Sequence, residues 1–164
     1  MPNKNWSKLS HLQLGRYAEY YAKMEFASYG FEIYSSEVDD HGVDFVIKRG
    51  AEYYDVQVKS ILKSKYIFMA KTKFPINQIL LLCFIIFKDS ELPQIFLIPS
   101  VAWNNPNELL VDRDYEGLKS KAEYGLQVSS KSIKILEKYS FDLIAEKIVK
   151  NKWGIVTFNG YPNI

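Results

Sequence analysis

Asp44, Gln57 and Lys59 bring a carboxylate, an amide and an ammonium into one short stretch, DFVIKRGAEYYDVQVK. A carboxylate and an amide oxygen can both ligate a hard cation. An ammonium beside them can stabilise developing negative charge. Phe45 and Ile47 alternate with Asp44 and Val46, and Val56 and Val58 alternate with Asp55, Gln57 and Lys59. That period of two predicts two strands with distinct faces. Arg49-Gly50 supplies the turn of a hairpin, because Gly tolerates positive φ. Centred there, the turn sets Asp44 opposite Val56 or Gln57. One face is then Phe45, Ile47, Val56 and Val58, and the other is Asp44, Val46, Asp55, Gln57 and Lys59. So many polar groups on one surface are costly for packing alone, since each must be solvated or satisfied.

The elements that position this hairpin follow in chain order. Ser10 and Gln13 form the capping-box pattern S-H-L-Q, which predicts a helix from about His11 to Tyr29 with Gly30 as its stop. Leu14, Ala18, Tyr21, Ala22 and Tyr29 recur at helical spacing. The small residues Gly15, Ala18 and Ala22 let this helix approach a sheet closely. Glu19 lies four residues after Gly15, at the border of that small-residue face, where a solvated carboxylate is the ordinary reading. Glu25 sits nearer the middle of the apolar face and is a second acidic candidate. Phe31 to Ser35 reads as a first strand, and the polar loop from Glu37 to Gly42, which contains His41, leads into the Asp44 strand. His41 reads as a solvated loop residue.

Beyond the hairpin, Lys63 to Lys73 is basic, with a short strand at Tyr66 to Ala70. Gln78 to Phe87 is a continuous apolar run suited to a central strand buried on both faces. Gln94 to Ile98 forms another strand. The pattern is a helix and about five strands, mostly meandering. Residues 99–130 are less legible, with a short helix or edge strand within Leu118 to Leu126. Val128 to Tyr139 and Phe141 to Lys150 read as helices, with Ser132 or Ser140 as caps. The tail from Trp153 to Ile164 reads as irregular.

At 164 residues, a hydrophobic content of 48% and a charged content of 24% fit one globular domain. A net charge of +2 does not by itself argue for a polyanion partner, although Lys59, Lys63, Lys65, Lys71 and Lys73 cluster in sequence. The single cysteine, Cys83, excludes an internal disulfide and a Cys-rich zinc site. Its apolar setting reads as a buried structural thiol. No signal-peptide core opens the chain, and Ile79 to Phe87 is too short to span a bilayer. The expected location is cytoplasmic.

The helix with Gly15-x-x-Ala18-Glu19, the approach through Gly42-x-Asp44, and Gln57-x-Lys59 after a hairpin stand in a telling order. This set resembles the PD-(D/E)XK nuclease superfamily, the restriction-endonuclease-like fold. It is most similar to the branch with Gln in the third position, as in type IV restriction-endonuclease-like and Holliday-junction-resolvase-like proteins. It is also similar to an uncharacterised bacterial domain family within that superfamily. The resemblance covers residues 10–61, and the strands at 78–98 are compatible without carrying a motif.

The resemblance implies an α/β domain over residues 1–164, with a central mixed sheet of about five strands flanked by helices. The motif-bearing core would be about 10–98, and a helical cover about 128–150. It implies metal-dependent phosphodiester hydrolysis on DNA. Mg²⁺ or Mn²⁺ would be held by Asp44 and Gln57, with Glu19 approaching from the helix. Lys59 would stabilise a hydroxide or the charge of the transition state. No small-molecule cofactor and no membrane are implied, and a homodimer fits enzymes that cut two strands. Gln57 departs from the commoner acidic residue, so the site carries one negative charge fewer and holds its cation more weakly. The alternative is therefore a catalytically inactive module on the same fold that binds nucleic acid or a protein. A third reading is an α/β protein whose aromatic residues Tyr20, Tyr53, Tyr54 and Tyr66 bind a protein or small ligand.

Overall fold

The structure is a computed structural model and describes residues 3–35 and 42–150. His41, most of the loop before it and the tail from Trp153 to Ile164 lie outside the described residues.

α1 (His11–Ser28) opens at the capping box. Ser10 Oγ accepts the Gln13 N–H at 3.2 Å, and Gln13 Oε1 accepts the Ser10 N–H at 2.9 Å. Two donors that a helix start leaves unpaired are thereby satisfied. Leu14, Ala18, Ala22 and Phe26 are buried, a single stripe at intervals of four. The Phe26 ring meets Phe45 edge-on at 5.9 Å and Phe141 at 4.8 Å. The helix therefore covers the Phe45 face of the sheet.

β1 (Glu32–Ser35), β2 (Phe45–Arg49) and β3 (Glu52–Ile61) form an antiparallel meander. β4 (Tyr66–Ala70) then leaves the sheet, and β5 (Leu80–Ile86) returns alongside β3 in parallel. β6 (Gln94–Pro99) pairs antiparallel with β5, giving the order β1-β2-β3-β5-β6. The sheet is thus mixed and five-stranded, and β3 to β5 is its one departure from a meander. β5 is buried along almost its whole length, which accounts for its unbroken apolar run.

The segment between 99 and 130 holds more order than its sequence predicts. β7 (Leu110–Arg113) and β8 (Glu123–Gln127) join β4 in a second sheet of order β4-β8-β7. β8 is its central strand, not an edge or a helix. α2 (Ile133–Glu137) is much shorter than the helix expected over Val128 to Tyr139. Ser132 precedes it without capping it; its Oγ donates instead to the Gln127 carbonyl at 2.7 Å. Such local side-chain bonds compete with helix formation. α3 (Phe141–Val149) follows Ser140, which likewise makes no side-chain cap. Among the described residues no helix is long and apolar enough to cross a membrane.

The small sheet is locked by polar contacts. Tyr66 and Tyr115 both donate to Glu123 Oε1, at 3.1 and 2.7 Å. The Arg113 guanidinium lies 4.8 Å from the centre of the Tyr66 ring. That ring crosses Gly125 so closely that a Cβ there would lie 2.1 Å from the Tyr66 oxygen and 2.5 Å from two ring carbons. Gly125→Ala should therefore expel Tyr66 and cost roughly 1–3 kcal/mol, as overpacking does. Chemical denaturation would read this as a lowered midpoint, and an unchanged midpoint would contradict this packing.

Candidate functional site

The hairpin register sets the site. Phe45 pairs with Val56 and Val46 with Asp55, so continuing by one residue places Asp44 opposite Gln57. The Asp44 N–H donates to the Val56 carbonyl at 2.9 Å. In return the Val58 N–H donates to Asp44 Oδ2 at 2.6 Å. The carboxylate thus continues the ladder with its own oxygen, just where β2 begins. This fixes the side chain against β3 and points to a reason for Asp, since a longer Glu would not make the same short bridge.

Gln57 is buried, with 7% of its surface exposed. Its Oε1 is buried without a hydrogen-bond partner among the described residues. An orphaned amide oxygen costs about 1–3 kcal/mol, so it marks a place where a ligand or water belongs. The polar face of the hairpin is therefore partly enclosed at its centre. Lys59 and Asp55 on the same strand face are half-buried. Burial pushes the Asp55 carboxyl above the ordinary carboxylate range.

Gly42 shapes the approach to Asp44. It has φ +75°, and a Cβ there would lie 2.9 Å from the Lys73 carbonyl oxygen and 3.2 Å from Gln57 Nε2. Only Gly combines that conformation with that proximity. Gly42→Ala should cost on the order of 2–3 kcal/mol from backbone strain and crowding together, and should displace Gln57 or Lys73. A thermal melt equal to wild type would contradict this placement.

Gln57 and Lys59 open into a cavity of about 570 Å³, with His11 and Gly15 of α1 at one side and β4 at the other. Lys73 also lines it. Asp44 and Glu19 do not. Glu19 lies on the α1 stripe of His11, Gly15 and Lys23, and Lys23 sits 5.4 Å over the Phe45 ring. The Glu19 backbone is therefore bracketed between the cavity and the start of β2. Its carboxylate is held by Arg16 at 3.3 Å. The register sets Asp44 opposite Gln57, with Lys59 two residues further along β3, while Glu19 lies on the cavity-facing stripe of α1 with its carboxylate turned to Arg16.

Glu25, the second acidic candidate, belongs elsewhere. Burial first, then the charge of Asp142 on α3, raises its pKa. Asp142 itself accepts the Tyr29 hydroxyl at 2.9 Å. Cys83 is fully buried, and burial, followed by the charges of Asp44 and Glu25, pushes its thiol far up. It is not a nucleophile at neutral pH.

Among the described residues no three acidic, imidazole or thiol groups converge as a metal cluster. Asp44 and the orphaned Gln57 oxygen nevertheless fit a hard cation. Mg²⁺ accepts one or two protein oxygens and keeps several waters. The sequence missed His11 and Phe68 as cavity residues, because neither stands in a motif; Lys73 was visible only as part of a basic cluster.

No protein-family model and no curated protein matches this chain. Its backbone resembles that of a Holliday junction resolvase, Hjc, from the archaeon Archaeoglobus fulgidus. The TM-score is 0.53 at 11% identity, over 80% of this chain and 95% of that one. The fold is restriction-endonuclease-like. A bacterial homing endonuclease, I-Ssp6803I, is also similar, with a TM-score of 0.51 at 18% identity over 87% of this chain and 96% of that one. At such identities the likeness extends to the restriction-endonuclease-like path of the chain and not to its side chains. The N-terminal helix followed by the mixed five-stranded sheet belongs to that shared path.

Proposed function

We propose that this chain is a metal-dependent DNA endonuclease of the PD-(D/E)XK type. The observation that carries this reading is the buried Gln57 Oε1, without a partner among the described residues, on the strand residue opposite Asp44, with Lys59 two residues further along. Bound Mg²⁺ or Mn²⁺ would neutralise phosphate charge and acidify an attacking water. Asp44, oriented by the Val58 N–H, would anchor the cation, and Gln57 would add a neutral oxygen. Lys59 lines the cavity, where its ammonium stabilises negative charge that builds up on the phosphate. Glu19 contributes only by leaving Arg16 and turning toward Asp44.

A second reading has its own observation. The neutral amide of Gln57, where the commoner pattern has an acid, favours a module that binds nucleic acid or a protein without cutting. Titration calorimetry with Mg²⁺ and Mn²⁺, run beside plasmid nicking, separates the two. Cation binding together with cation-dependent nicking supports the enzyme. Binding of DNA without nicking under any divalent cation supports the module. A chain that binds neither divalent cation nor DNA removes the enzyme and the nucleic-acid module and leaves only a protein-binding scaffold.

A further inference from the structure

The cavity beside Gln57 has two unlike walls. One carries His11, Lys59 and Lys73, and no carboxylate is among the described residues that line it. In a chain with a net charge of only +2, a cleft whose described lining carries two lysines and no carboxylate is complementary to a polyanion. The other wall is β4, an outer strand of the small sheet, and it is apolar and aromatic from Tyr66 to Met69. Phe68 lies on this wall and is 57% exposed. Its cross-strand neighbour is Gly125, over which the Tyr66 ring lies, so Phe68 and Tyr66 stand side by side on this strand pair and the Phe68 ring stays open to solvent.

A regular duplex offers such a wall only sugars and phosphates, because its base faces are hidden in the stack. An unpaired nucleotide offers a π-face, and single-strand sites combine a basic groove with aromatic platforms for this reason. We infer that the cavity takes a DNA strand carrying an unpaired nucleotide, with phosphate on Lys59 and Lys73 and the base on Phe68. This rests on the nuclease reading above, since it names the substrate class of that same site. The preferred substrate is a flapped, gapped or branched DNA with an unpaired nucleotide beside the bond presented to Gln57 and Lys59.

The test is fluorescence anisotropy with labelled DNA in Ca²⁺, comparing a fully paired duplex with the same duplex bearing a single-stranded flap. The flapped form should bind more tightly. Phe68→Ala should weaken binding of the flapped form by roughly 5- to 150-fold and leave the paired duplex unchanged, the range expected for loss of one base–aromatic stack. Phe68→Tyr should keep the preference. Lys73→Ala should reduce the salt dependence of flap binding by about 0.7 in the log–log slope. Equal affinity for both forms, untouched by Phe68→Ala, overturns the inference while the nuclease reading stands on duplex binding. No binding to any DNA overturns both.

Discussion

Asp44→Asn should fold as wild type does and lose DNA cleavage by a factor of roughly 10²–10³ or more, the scale on which removing one charge-stabilising group acts. The substitution keeps an amide oxygen to accept the Val58 N–H, now bonded to Asp44 Oδ2 at 2.6 Å, while it removes the charge and turns the second oxygen into an NH₂ donor. Asp44→Ala is a poorer probe, because it also leaves that half-buried donor unpaired at about 1–3 kcal/mol. Lys59→Ala should cause a loss of similar size. Lys59→Arg should recover little of it, since a planar guanidinium does not replace a compact ammonium in a half-enclosed cleft. Single-turnover cleavage and thermal melts on the same preparations decide the matter. Asp44→Asn that cuts at the wild-type rate would falsify the assignment of the cation anchor to this carboxylate.

Gln57→Glu should strengthen cation binding at the proposed site, at the expense of stability without metal. The side chain is 7% exposed, and its oxygen has no partner among the described residues. A carboxylate placed there is desolvated, so its pKa in the folded chain rises above the unfolded value of about 4.3. The folded state then binds more protons than the unfolded one between those two values. Stability is retained below about pH 4 and falls as pH rises toward the folded pKa. At pH 8, without divalent cations, the loss should be on the order of 3 kcal/mol, as for other uncompensated buried charges. Saturating Mg²⁺ or Mn²⁺ should restore about 2.7 kcal/mol at a hundred times its Kd. Calorimetric melts at pH 4 and pH 8, with and without cation, read the effect directly. A melting temperature insensitive to both pH and cation would show that this position faces no cation site.

Part of this protein was legible in its sequence because the signals are local. The capping box of Ser10 and Gln13 and the spacing of Leu14, Ala18 and Ala22 determined α1 almost to the residue. Period-two alternation around the Arg49-Gly50 turn, where Gly50 has φ +61°, determined the β2–β3 hairpin and narrowed the partner of Asp44 to Val56 or Gln57, between which the register of the folded pair decides for Gln57. An unbroken apolar run marked β5 as a strand covered on both faces. In each case neighbours in the chain carry the information, through capping, turn geometry and a periodicity that one buried face imposes.

Only the tertiary structure decided the rest. β4 pairs with β8 across more than fifty residues, and nothing in Tyr66 to Ala70 distinguishes a strand of the main sheet from one of a second sheet. β7 was invisible because four residues carry too little periodicity to stand out. The cavity joins His11 at the start of α1, Lys59 on β3 and Phe68 on β4, and no spacing rule links positions brought together by packing. Whether Gln57 is solvated or buried, whether Glu19 faces Asp44 or Arg16, and whether Glu25 belongs to the hairpin or to Asp142 are likewise set by which surfaces meet. Side-chain type and local period determine what a residue can do, and long-range burial determines which neighbours it does it with.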